Sequence, residues 1–203
     1  MKFFHSYWLG ETDFIEWNEG QLVPVPKIGD LSNPSKWRGV TLMDIGSKIL
    51  SSILCTRLFK IIIKHGGKYQ FGSTPGVGCQ DSSFTIKTML HLRYNHNLPK
   101  FVMFADIVKA FDTSNHKLTV EILKKYGCPP KLCSAIRRMY TENKVILILG
   151  KIDISIPLEV RLKQGDSVAP VLFLFTMMAF ADTIEKECVR NDFKNIKSKR
   201  HIN

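Results

Sequence analysis

Five apolar residues in a row, Phe101 to Ala105, run straight into a carboxylate at Asp106. The run is apolar at odd and even positions alike, which predicts a central strand over 100–106 covered on both faces. An ionised carboxylate at the end of such a strand has to be paired, hydrogen-bonded or bound to a cation. A turn or capping aspartate is the competing reading, and Asp112, six residues on, has the same alternative as a helix cap.

The remaining elements follow from period and punctuation. Residues 1–20 are aromatic-rich and irregular. QLVPVPKIGD (21–30) reads as a short extended edge run closed by a Gly-Asp turn, and 33–42 as a loop entering a second extended segment. Asp44 suits an N-cap, after which Ile45, Ile49, Ile53, Leu58 and Ile62 recur at helical intervals to His65, with Gly66-Gly67 as the stop. Lys48, Arg57, Lys60 and Lys64 make a basic stripe on that helix, which is either a binding face or a solvated one. QFGSTPGVGCQD (70–81) is a Gly/Pro loop without the Gly-Lys-Ser/Thr ending of a phosphate-binding P-loop. Helices are predicted at about 81–94, 115–126 and from Pro129-Pro130 to about Asn143. Strands around a Gly-Lys turn are predicted at 144–162, and a long apolar helix from Val168 to about Val189, with a basic, frayed tail to Asn203. Strands and helices alternate irregularly, so the class is α+β rather than a doubly wound sheet.

Charge and cysteines narrow the partners. Lys and Arg number 29 against 18 Asp and Glu, a formal net charge of +11. That excess calls for a polyanion, a nucleic acid before an anionic membrane surface. The longest apolar run, Val171 to Ala181, is broken only by Thr176. It rises about 16 Å as a helix, half a bilayer core, so it predicts a core helix and no membrane span. The N-terminus offers no stretch long enough for a secretory leader. Five cysteines, with no CxxC pair and no zinc spacing, predict reduced thiols and an intracellular (cytoplasmic or nuclear) setting.

In LKQGDSVAP (162–170), Gly165 permits close approach of a ligand to the backbone, and Gln164 both donates and accepts hydrogen bonds. An ordinary strand-to-helix loop, capped by Asp166 or Ser167, is the alternative. Taken together, FADIVKAFDT (104–113), RLKQGDSVAPVLF (161–173), VPKIGD (25–30), WRGVTL (37–42), KILSSILCTRL (48–58) and QFGSTPGVGCQD (70–81) resemble, in order, the motifs of a reverse transcriptase domain of the non-LTR retrotransposon type.

The resemblance implies a right-hand polymerase: fingers and an incomplete palm, with an antiparallel palm sheet, packed helices and no thumb. It divides the chain into a leader (1–20), fingers plus partial palm (21–187) and a basic tail (188–203). It implies RNA-directed DNA synthesis, in which a primer 3′-hydroxyl attacks the α-phosphate of a deoxynucleoside triphosphate with two Mg²⁺ ions. Asp106 matches the metal-binding aspartate. Phe111 matches the aromatic against the sugar, Gln164 and Gly165 the pair lining nucleotide and templating base, and Lys27 and Arg38 the basic fingers positions. Asp112 and Asp166 read as structural. The implied partners are an RNA template, a DNA primer and a dNTP, with no membrane and with a missing C-terminal palm and thumb segment.

The sequence departs from the family pattern in places. The aromatic-Ala-Asp-Asp motif that supplies the other metal carboxylate does not occur. Its one lookalike, Phe180-Ala181-Asp182-Thr183, sits in the helical pattern that follows Gln-Gly-Asp. Gly39, Arg161 and Ser167 stand where the family commonly has Pro, Gly and Pro. The expectation is a fragment that does not polymerise alone. The alternative is a non-catalytic remnant that binds RNA or RNA–DNA hybrids. An unfinished palm sheet also predicts an open apolar edge and self-association.

Overall fold

The computed structural model describes residues 2–12, 15–65, 70–108, 110–111, 114–141, 143–158, 162–163 and 165–199. In chain order these form α1 (Lys2–Leu9), a 3₁₀ turn (Ile15–Asn18), β1 (Glu19–Pro26), a second 3₁₀ turn (Pro34–Lys36) and β2 (Trp37–Met43). There follow α2 (Ile45–His65), α3 (Cys79–Asn95), α4 (His116–Lys125), α5 (Pro130–Met139), β3 (Lys144–Leu149), β4 (Ile152–Pro157) and α6 (Ala169–Lys199). The α+β class holds.

The sheet is not the antiparallel one expected. Its order is β2-β1-β3-β4. β1 runs antiparallel to β2 but parallel to β3, with Glu19 opposite Lys144 and Leu22 opposite Leu147. β3 and β4 form an antiparallel hairpin. Parallel neighbours need a crossover, and helices α2 to α5 lie in the chain between β1 and β3. Pro24 and Pro26 lie beyond the stretch of β1 that pairs with β3, where that edge asks for no N–H donor. Gly39 is covered by Leu22, whose Cδ1 would sit 2.8 Å from any added Cβ.

The core lies where α2, α4, α5 and α6 meet. Leu54, Leu58, Leu123, Ala135 and Phe175 are wholly buried there. Asp44 accepts from the Gly46 N–H at 2.7 Å and starts α2 as expected. The apolar stripe of α2 is displaced, however. Ile45, Ile49 and Ile53 face outward, while Ser47, Leu50, Ser51 and Leu54 are buried. In residues 45–54 the apolar side chains spread over about half the helix circumference, so packing chooses which part of it to cover. It chooses the one where small serines admit α5: Ser51 Oγ lies 3.9 Å from Met139 Sδ.

The expected irregular leader instead holds a helix at Lys2–Leu9 and a 3₁₀ turn at Ile15–Asn18. Phe4, Tyr7 and Trp8 recur at helical spacing, and α1 packs them inward. Tyr7 donates to the Ala135 carbonyl at 2.9 Å, and Arg57 stacks on Trp8 at 4.0 Å. Trp17 fills the space above Gly46, where a Cβ would stand 2.9 Å from the indole.

The predicted central strand is corrected most. Residues 101–107 adopt no regular structure, and Phe101 is 96% and Phe104 86% exposed. All four described strands pair with one another, and none is recorded alongside this segment. An apolar run becomes a buried strand only where neighbours cover it. The preceding α3 buries none of its residues either. α6 continues to Lys199 rather than ending near Val189, and Phe180–Thr183 lies inside it. Tyr126 donates to Asp182 there at 2.6 Å. Among the described residues no helix is long and apolar enough to cross a membrane. Cys55, Cys79, Cys128 and Cys133 are free thiols, and burial pushes Cys128 up to about 12.

Two phenylalanines separate burial from chemistry. Phe175→Ala is expected to cost roughly 3–5 kcal/mol and Phe104→Ala to stay within about 0.5 kcal/mol, read from urea unfolding midpoints.

Candidate functional site

The turn before α6 is built on a buried carboxylate. Asp166 accepts from the Val168 N–H at 3.1 Å, which caps the helix entry, and from the Tyr140 hydroxyl at 2.9 Å. Both residues are buried. Burial, then the negative charge of Asp166 and this hydrogen bond, hold the Tyr140 phenol well above its ordinary range. Tyr140 itself is the C-cap of α5, so the turn is tied to the helical core.

Gly165 has φ +115°, and a Cβ there would lie 2.5 Å from the Thr41 carbonyl oxygen of β2. Two backbones therefore meet with no side chain between them. The sequence reading has a ligand approach the backbone at Gly165; in the structure the group that comes close there is the protein's own strand.

Lys163 is almost fully buried and donates to the Asn18 carbonyl at 3.1 Å. Burial pushes its ammonium down to about 8, with Asp166 pulling the other way. Phe111 is held by Phe173, ring centroids 5.3 Å apart, and its carbonyl accepts from the Leu162 N–H at 3.0 Å.

These pieces line one pocket of about 290 Å³, formed by Arg38, Phe111, Lys163, Gly165, Asp166, Ala169 and Pro170. Three predicted site residues, Arg38, Phe111 and Gly165, thus come together from separate stretches of chain. Lys27 does not line the pocket. It is exposed, and its N–H donates to the Lys36 carbonyl at 2.7 Å, closing the loop between β1 and β2. Asp106 is exposed on the irregular segment and is not a lining residue. Gln164 and Asp112 lie outside the described residues. The sequence reading missed Lys163, because a lysine beside a turn carries no mark of burial. The pocket sets cations beside an aromatic ring and a proline, which suits an anionic ligand with an apolar, flat part.

The Mg²⁺ implied for Asp106 is not matched by a donor set. Among the described residues no group of three or more His, Cys, Asp or Glu could hold a metal ion. Asp166 is committed to Tyr140 and Val168, and Asp182 accepts from Tyr126. The described carboxylates do not make a two-ion centre.

Residues 25–201 match the family described as "Reverse transcriptase (RNA-dependent DNA polymerase)". The chain is 26% identical over 159 residues to the "Retrovirus-related Pol polyprotein from type-1 retrotransposable element R2" of Popillia japonica, covering 77% of this chain and 22% of that protein. It is 26% identical over 184 residues to the corresponding type-2 element R2DM polyprotein of Drosophila melanogaster, covering 90% and 16%. It is 27% identical over 123 residues to the "Transposon TX1 uncharacterized 149 kDa protein" of Xenopus laevis, covering 61% and 9%. The chain thus matches less than a quarter of each relative's length.

Gly165→Ala combines a forbidden φ with the clash on Thr41 and is expected to cost about 3 kcal/mol or more, seen as a lowered denaturant midpoint. Lys163 makes a pH-dependent contribution of known sign. Its folded value, about 8, lies below the ordinary 10.5, so the unfolded chain holds more protons between them. Stability from this group therefore rises with pH across that window. The wild-type chain is expected to gain on Lys163→Met between pH 8 and 10 in urea unfolding.

Proposed function

The chain belongs to the reverse transcriptase (RNA-dependent DNA polymerase) family, and from that premise we propose that its pocket binds the incoming deoxynucleoside triphosphate of a retrotransposon polymerase. The observation that carries this reading is the convergence of Arg38, Phe111 and Gly165 on one cavity. Arg38 is the bidentate donor for the triphosphate. Phe111 meets the sugar and excludes a 2′-hydroxyl. Gln164 and Gly165 match the family pair assigned to the nucleotide and the templating base, and Gly165 lines this pocket. Lys27 contributes phosphate contacts from outside the pocket. The net charge of +11 serves an RNA template and a DNA primer, gripped through phosphates without sequence preference.

The reaction proposed for the complete domain is attack of a primer 3′-hydroxyl on the α-phosphate, with pyrophosphate leaving. Asp106 is the one motif carboxylate offered to the metal ions of that reaction. A two-ion centre needs more, and these 203 residues contain no aromatic-Ala-Asp-Asp segment. The chain by itself is therefore proposed to bind substrates without extending a primer. A second reading, a non-catalytic remnant that binds RNA or RNA–DNA hybrids, is favoured by one observation: Asp106 stands exposed and is not among the pocket-lining residues.

Titration with a fluorescent methylanthraniloyl-dATP tests the first reading. Binding that weakens roughly tenfold in Arg38→Ala supports it; an unbound nucleotide, or an Arg38→Ala chain that binds as wild type, sinks it. Affinity for a primed RNA template is expected to fall by roughly 10³–10⁵ between 50 and 200 mM salt, as about six to ten phosphate contacts require. In primer extension the chain alone should incorporate nothing. Template-dependent incorporation abolished by Asp106→Asn would overturn the inactivity proposal and the binder reading together.

A further inference from the structure

The segment ahead of β1 lies outside the matched stretch 25–201, yet it is built into the site. Its last residue, Asn18, points in two directions. Its side-chain amide donates to the Thr141 carbonyl at 3.0 Å, just past the end of α5. Its main-chain carbonyl accepts from Lys163 at 3.1 Å. Lys163 in turn lines the pocket and passes its own carbonyl to the Asp166 N–H at 3.2 Å, closing the turn around Gly165. One residue therefore links the N-terminal segment, the end of α5 and the turn that shapes the cavity.

The alternatives for a buried lysine here are weaker. A lysine that only filled space would be better replaced by an apolar side chain, since a charged head costs free energy on burial unless it is bonded. A direct phosphate ligand would turn its ammonium to the cavity, whereas one of the three N–H donors here goes to a backbone oxygen across the turn and ties the residue to the N-terminal segment. The contact also spans the chain, between residues 145 positions apart.

We propose that Lys163 is a positioning residue that fastens the N-terminal segment, at the Asn18 carbonyl, to the Gly165 turn, so that the segment sets the affinity of the pocket for a deoxynucleoside triphosphate. This rests on the nucleotide reading above. The anchor is a charge-assisted bond from an almost fully buried side chain. The N-terminal segment is itself held by Tyr7 on Ala135 and by Trp17 over Gly46.

The test uses the whole chain, methylanthraniloyl-dATP as the probe, and amide hydrogen exchange over residues 15–20. In Lys163→Met both readouts are expected to move: roughly tenfold weaker nucleotide binding and roughly tenfold faster exchange. Lys163→Arg should restore both in large part, because a guanidinium reaches the same carbonyl. Asn18→Ala removes the anchor on Thr141 and leaves Lys163 in place. It should weaken binding roughly threefold, and it carries the test if Lys163→Met fails to fold. Weaker binding in Lys163→Met with exchange unchanged, and Asn18→Ala binding as wild type, would make Lys163 a direct ligand and overturn the proposal. Faster exchange with unchanged affinity overturns it equally. A wild-type chain that binds no nucleotide defeats the pocket reading instead, and unchanged exchange in Lys163→Met then separately defeats the anchor.

Discussion

The site exists because the backbone of one turn lies directly on the backbone of one strand. Gly165 meets the Thr41 carbonyl at a distance that admits no β-carbon. Arg38 is three residues earlier on the same strand, so the contact fixes how far its guanidinium stands from the turn. Phe111 is brought to the same place by its carbonyl bond to Leu162. The glycine contact thus joins the strand that carries Arg38 to the turn that Phe111 reaches through Leu162.

A buried lysine and a buried aspartate three residues apart frame this contact. Each is costly out of water, and each is satisfied differently. Asp166 is spent on structure, between a helix N–H and the Tyr140 hydroxyl. Lys163 is spent on a carbonyl from the far end of the chain. The two charges attract, yet neither relies on the other for a hydrogen bond, so loss of one leaves the other's partners in place. The two side chains therefore tie the turn to different parts of the molecule, the end of α5 and the N-terminal segment.

Local chemistry was legible in the residues. Asp44 and Asn115 cap their helices, the latter accepting from Lys117 and Leu118, and Gly150 turns the β3–β4 hairpin at φ +66°. The motif residues Arg38, Phe111 and Gly165 could be named before they could be placed. What failed was whatever depends on neighbours. The run 100–106 looks doubly covered, but coverage is a property of the surrounding sheet. Ile45, Ile49 and Ile53 keep helical period yet lost the core to a face with two serines. The joint between Asn18 and Lys163 left no pattern at all, because its acceptor is a main-chain oxygen that every residue has. The mixed sheet was equally hidden, since nothing in residues 19–22 names Lys144 to Leu147 as partners.

That last pairing bears on how the polypeptide comes into being. On the ribosome, β1 and β2 emerge close together and can zip at once. The opposite side of β1 stays bare until residues 144–147 leave the exit tunnel, after four helices have been made. Assembly of this sheet therefore waits on synthesis, and the nascent chain carries an unpaired strand margin while the residues between β1 and β3 are made. Closing so long a loop is slow by topology alone, and it is the interval in which a holding chaperone has a strand to hold.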